Sequence, residues 1–144
     1  MGSDHAILVP MGLLALGTIA VGLADGIARA IAIQRNDVSA DFYGLFEGEP
    51  RPPLEARLSR HYQNLLELPI LYYVAGVVIY TSGLADSTFV ALFWLFLPIR
   101  LVHAVIHISY NRVIHRAAAF GAGVVVVSVI WIRFLLLLGS GSAA

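Results

Sequence analysis

The stretch Arg116-Ala-Ala-Ala-Phe-Gly-Ala-Gly-Val-Val-Val-Val-Ser-Val-Ile-Trp-Ile-Arg133-Phe-Leu-Leu-Leu-Leu138 decides the fold. Between its two arginines the only polar side chain is Ser128. About 20 apolar helical residues cross a hydrocarbon core, so this run is long enough to span a bilayer. It is too long for a strand of a membrane barrel, and open sheet edges cannot face lipid. Working outward, three similar runs precede it, and the four helices are expected over about residues 6–33, 55–81, 88–110 and 114–138. A long polar connection, about 34–54, follows the first. Ser82–Ser87 and Asn111–His115 are short links, so the last three helices are antiparallel neighbours. The expectation is an all-α membrane protein, a single four-transmembrane-helix bundle.

Composition agrees. The 144 residues are 59% hydrophobic and 12% charged, with a mean hydropathy of +0.83. Soluble domains run at about 45–50% apolar and about 25% charged, and a chain this short could not hide the excess from water. The formal net charge is zero, so no nucleic-acid partner is expected. All nine basic residues are arginine, whose planar fork suits carboxylates in partly desolvated places. Without cysteine there is no disulfide and no thiolate chemistry from the chain itself. The N-terminus lacks a basic segment and a cleavage-like site, so the first run reads as a retained helix. The tail from Gly139 to Ala144 carries no fold information.

Helix starts are marked by Asp4 before the first run, by Pro52-Pro53 with Glu55 before the second, and by Asp86 or Ser87 before the third. Arg29, Arg35, Arg51, Arg57 and Arg60 flank the long connection, and Arg112 and Arg116 flank the last link on the same side. Only Arg133 lies toward the other end. Basic residues gather on the cytosolic side of membrane proteins, which puts both termini on the non-cytosolic side.

Ionisable residues inside a span usually face the bundle interior and mark function. At a rise of about 1.5 Å per residue, Arg100 lies roughly 18 Å and Glu67 roughly 21 Å from the outer ends of their helices. A Glu67–Arg100 pair is the economical expectation, since either charge alone would be costly. The same count puts Asn64 near His103, with Arg60, His107 and Arg116 closer to the cytosol and Asp25 and Arg29 reaching that layer. Arg57, Arg60, Asn64 and Glu67 fall within about 80° of one helix face. Arg100, His103, His107 and Asn111 form a stripe on the next helix. Together they suggest a polar funnel, closed at Glu67–Arg100. Pro69 and Pro98 free the carbonyls of Leu65 and Trp94, which must find partners or kink the helices.

Plainer roles are open for each residue. Glu67–Arg100 could be a staple between helices, Asn64 interhelical glue and His103 a packed core histidine. Arg57 and Arg112 read as snorkelling interfacial charges, and Asp25–Arg29 as a helical pair. His61, His103, His107 and His115 raise the question of a metal, and His103-x3-His107 places two imidazoles on one face, but no third ligand is obvious and no metal is expected. No pair of broken-helix repeats argues for a transporter.

On the second helix, Arg57-Leu-Ser-Arg60-His61-Tyr62-Gln-Asn64-Leu-Leu-Glu67-Leu-Pro69 resembles the R-x-[HQ]-x-N-x-x-E pattern, closely followed by proline, of the MAPEG family, the membrane-associated proteins in eicosanoid and glutathione metabolism. Arg100-Leu-Val-His103 and Arg116-Ala-Ala-Ala-Phe120 are similar to its second half. The Arg100-to-Arg116 spacing is like that of a microsomal glutathione transferase. The stretch Ile106-His107-Ile-Ser-Tyr110-Asn111-Arg112-Val looks like the family's bacterial branch. The likeness covers about residues 50–138, and the first helix more weakly.

The resemblance implies a homotrimer in a bacterial inner membrane, with glutathione as co-substrate held between subunits near the cytosolic side. By position it assigns Arg60, Asn64, Glu67, Arg100 and Arg116 to glutathione, with Arg116 as the catalytic residue that stabilises the thiolate. His107, Tyr110 and Arg29 are added as candidate contacts from the same layer. A cation beside a thiol lowers its pKa, and the thiolate is the nucleophile. The implied activity is transfer of glutathione to a small lipophilic electrophile, or reduction of a hydroperoxide, delivered by the membrane lipid. The alternative is a non-catalytic relative whose polar site is structural or binds another anion. The chain departs from the family pattern at Tyr62, Ser59 and His107.

Overall fold

The structure, a computed structural model, describes residues 3–45 and 51–140. Residues 46–50 of the long connection and 141–144 of the tail lie outside the described residues. All regular elements among the described residues are helical. A 3₁₀ turn, Ser3–Ile7, leads into α1 (Leu8–Gln34); the short α2 (Phe42–Leu45) lies in the connection. Then follow α3 (Pro53–Leu65), α4 (Leu68–Thr81), α5 (Ser87–Ile108) and α6 (Val113–Gly139). Four helical stretches are long and apolar enough to cross a membrane: His5–Gln34, Pro53–Thr81, Ser87–Ile108 and Val113–Gly139.

Local chemistry sets the ends. Asp86 caps α5 by accepting from the Phe89 backbone N–H at 3.0 Å, which satisfies one of the free donors of a helix start. Asp4 does not cap α1: it sits within the 3₁₀ turn, and the residue at the cap is Ile7. After α4 the chain turns through Gly83 at φ 67°. The Leu84 N–H bonds back to Ile79 and the Gly83 N–H to Tyr80, a Schellman closure that needs a left-handed residue. Asn36 performs the same turn after α1, with Asp37 bonding back to Ala32 and Asn36 to Ile33.

The second span is two helices. Pro69 has no N–H to offer Leu65, and the chain breaks at Leu66–Glu67, where Glu67 adopts φ −96° and ψ −90°. Pro98, by contrast, is carried inside a continuous α5.

Packing divides the bundle along its length. The apolar core occupies the end that carries the termini: Met11, Tyr72, Phe89, Phe93, Phe96 and Ile130 interlock there with their neighbours. Tyr72 stacks on Phe96 with ring centroids 4.5 Å apart and donates to the Phe93 carbonyl at 3.2 Å. The buried polar residues Asp25, Glu55, Ser59, His61, Arg100, His103 and His107 all belong to the other half, toward the long connection. There α1 packs on α3, and α3 on α5.

Candidate functional site

The helix break organises the site. Where an unbroken helix would consume the Asn64 carbonyl, Arg100 Nη2 donates to it instead at 3.0 Å. The expected Glu67–Arg100 ion pair is not formed: among the described residues neither has an oppositely charged partner within 4.0 Å, and Glu67 is exposed. The depth count assumed one continuous helix back from Thr81, and the break shifts the register. Asn64 therefore meets Arg100 rather than His103, and the floor of the polar region is a guanidinium on a backbone carbonyl.

His61, on the face of α3 turned inward, fills the space the count gave to Asn64. Its ring lies 5.7 Å from that of His103 and 5.3 Å from that of His107, centroid to centroid. His103 and His107 are 5.5 Å apart. All three are buried. Among the described residues no group of three or more His, Asp or Glu is arranged to hold a metal. Sequence reasoning weighed His61 only among the histidines that might hold a metal, and gave it no place in the polar site. A polar residue one position from Arg60, and four before the apolar Leu65, was the available signal that α3 has two polar faces.

Arg116, Arg60 and Arg100 all lie within electrostatic reach of His107. Among the described residues none of the three is in an ion pair. Arg116 Nη1 donates to Asn111 Oδ1 at 2.9 Å, and Arg60 Nε folds back to the Ala56 carbonyl at 3.0 Å. Tyr110 is exposed and its hydroxyl contacts His115 Nδ1 at 3.1 Å. Glu67 also acts electrostatically on Arg100, but it forms no ion pair among the described residues, and guanidinium groups without one favour an anion.

Arg29 is differently engaged. It pairs with Asp25 at 2.6 Å, donates to Ser59 Oγ at 2.8 Å and lies 3.8 Å from Glu55 Oε1, which Arg51 also approaches at 3.7 Å. The network ties α1 to α3 at the loop end and leaves Arg29 a bracing charge within the protomer. Tyr43 joins it, beneath Arg29; burial first, then the Glu55 charge, raise its hydroxyl above the ordinary pKa. Arg57 is not a snorkelling charge either: its Nη1 donates to the Ile108 carbonyl at 3.3 Å and to that of Ser109, where a cation suits the negative end of α5.

A cavity of about 340 Å³ opens between α1, α3 and α5, with Arg100 and His61 in its wall. Tyr62 packs against α1, so closely that a Cβ on Gly22 would sit 2.8 Å from its ring.

The model of the MAPEG family matches residues 7–136, most of the chain. A search of curated proteins returns no match.

Proposed function

The chain belongs to the MAPEG family, and on that premise we propose that this multi-pass membrane protein is a glutathione-dependent transferase or peroxidase acting on lipophilic substrates. The observation that carries the proposal is that Arg60, Arg100 and Arg116 all act electrostatically on His107, with none of them in an ion pair among the described residues. Glutathione brings two carboxylates and, once ionised, a thiolate. Arg116 is the residue we assign to the thiolate, because Asn111 holds its guanidinium by one nitrogen and leaves the others to a ligand. Asn64 and Glu67 would complete the site, Glu67 as partner to the glutathione amine, with His107 and Tyr110 at its rim. The thiolate would attack an electrophilic carbon, forming the S–C bond as the leaving group departs, or an oxygen of a hydroperoxide, forming an S–O bond as the O–O bond breaks and the alcohol leaves; a second glutathione then turns the sulfenic acid into glutathione disulfide and water.

Arg60, Gln63 and Glu67 are exposed on the second span. Charges facing lipid are costly, so a second copy of the chain covering that face is the economical arrangement. This supports a homotrimer with glutathione near the subunit boundary. The clustering of arginine at the loop end supports a cytosolic site, and the likeness to the bacterial branch supports an inner membrane with termini outside the cytosol.

The test is direct. Purified protein, checked for its oligomeric state, is mixed with millimolar glutathione and thiolate absorbance is followed in the ultraviolet. A thiolate band at neutral pH is expected. An intact oligomer with no band would overturn the enzymatic reading in favour of a non-catalytic relative.

A further inference from the structure

The link between α5 and α6 carries a second basic site, which shares only Tyr110 with the glutathione reading. It joins one span ending at Ile108 to another starting at Val113, so it lies at the membrane boundary. Arg112, Val113, Ile114 and His115 line a surface pocket of about 250 Å³ there, where one water takes about 30 Å³ in the liquid. From Ser87 to the end of the sequence there is no Asp or Glu. The Arg112 side chain is exposed and has neither an ion pair nor a hydrogen bond among the described residues. His115 is engaged through Nδ1 by the Tyr110 hydroxyl at 3.1 Å. With the phenol as donor, Nε2 carries the ring proton and is the nitrogen left for a ligand. From α3, Arg57 reaches the Ile108 and Ser109 carbonyls and brings a further cation to the link.

The pocket thus offers an unpaired guanidinium and an imidazole N–H with no carboxylate from its own helices. The guanidinium fork matches phosphate oxygens two at a time. The other two lining residues are apolar: Val113 and Ile114 are 66% and 81% exposed. A soluble anion gains nothing from them, whereas a molecule with an acidic head and an acyl tail covers both. Tyrosine beside such a patch suits the headgroup level of a bilayer, and basic pockets at helix ends attract anionic lipid heads. We propose that this link binds an anionic phospholipid of the adjoining leaflet, with its phosphate on Arg112 and His115 Nε2 and an acyl chain along Val113 and Ile114. Arg112 then does more than snorkel: it selects the lipid beside the bundle.

The experiment uses the full chain in phosphatidylcholine nanodiscs holding a phosphatidylglycerol with a diazirine close to its headgroup, and cross-linked peptides are mapped by mass spectrometry. Labelling is expected within residues 110–115. Unlabelled phosphatidylglycerol should compete about five-fold better than phosphatidylcholine, a difference of about 1 kcal/mol, the pull of one cation near an anionic surface. Equal competition would overturn the anionic assignment. Arg112→Gln should abolish the preference, while Arg35→Gln, at an exposed arginine at the same end of the bundle, should retain it. An equal loss in both variants would reduce the effect to general interfacial charge and overturn the pocket. Should Arg112→Gln fail to fold, His115→Glu serves instead, because the first turn of a helix accommodates an acid. A carboxylate in the pocket should remove the competed labelling; its persistence would overturn the location. Millimolar glycerol phosphate should leave the labelling unchanged; displacement would make a soluble phosphate the occupant and overturn the lipid. Every arm runs without glutathione, so the outcome is separate from that of the thiolate measurement.

Discussion

Arg100 on α5 donates from Nη2 to the backbone carbonyl of Asn64 on α3 at 3.0 Å, at the point where the second span breaks. One side chain thereby satisfies a carbonyl that the proline-broken helix has released and joins the two helices that bear most of the polar site. Hydrogen bonds to charged groups contribute about 1.5–3 kcal/mol, and an orphaned buried acceptor costs about 1–3 kcal/mol. Arg100→Leu should therefore lower the thermal unfolding midpoint. Pro69→Ala, which restores an N–H to the helix, should recover part of that loss. A double-mutant cycle measures the coupling; strict additivity would show that break and arginine are independent.

Asn111 has φ 50° and accepts from Arg116 at 2.9 Å. Glycine adopts this backbone freely but cannot orient the guanidinium. Asn111→Gly should keep the unfolding midpoint within about 0.5 kcal/mol while weakening glutathione thiolate formation several-fold. Arg116→Ala should abolish the thiolate with the oligomer intact. Thiolate retained in Arg116→Ala would move the reactive role to another arginine.

His61 is buried with both ring nitrogens unpartnered. Replacing a buried, unsatisfied polar group by an apolar one of similar size is nearly neutral or stabilising. His61→Leu should leave the unfolding free energy level or raise it by up to about 1 kcal/mol, read as an unchanged or higher thermal midpoint. A clear fall in the midpoint would mean that the imidazole is a structural member of the bundle.

At the opposite end, Asp86 meets Arg133 at 2.6 Å and Arg133 stacks 4.2 Å from the Phe89 ring centroid. Burial pushes the Asp86 carboxyl upward, but the Phe89 N–H and Arg133 outweigh it and hold its pKa below the usual value. A depressed folded pKa gives stability that is complete above the unfolded pKa, about 3.9, and is lost as pH falls through the folded value. The stability gap between wild type and Asp86→Asn should be constant near neutrality and close below about pH 4. Asn keeps the helix cap, so Asp86→Ala should cost about 1 kcal/mol more at every pH.

Gly76 is where α4 comes closest to its neighbours. A Cβ there would press on the Met11 thioether and lie 2.9 Å from Phe93 Cε1. Gly76→Ala should destabilise by about 1–3 kcal/mol through overpacking. Gly26→Ala, with nothing within 4 Å of the new Cβ, should be neutral or slightly stabilising. Denaturation of the two variants side by side checks the contrast.

Much was legible in the chain before any fold. Apolar runs longer than a bilayer core, the short link Ser82–Ser87 and a cap at Asp86 or Ser87 are local matters of length, side-chain solvation and backbone freedom. Four membrane helices, and the gathering of polar residues toward one end, follow from them. The motif from Arg57 to Pro69, together with the stretches around Arg100, Tyr110 and Arg116, suggested the family that the match over residues 7–136 then established. What only the tertiary structure decided is which polar group meets which. Depth counting presumed a straight second helix, whereas Pro69 breaks it at Glu67, sends Arg100 to the Asn64 carbonyl and leaves Glu67 exposed. Arg29 is claimed by Asp25 and Ser59 because α1 lies against α3, and His61 turns inward to meet His103 and His107. Such pairings depend on how two helices face each other across several ångströms. Spacing along one chain fixes the face of each helix, but not its register against the next.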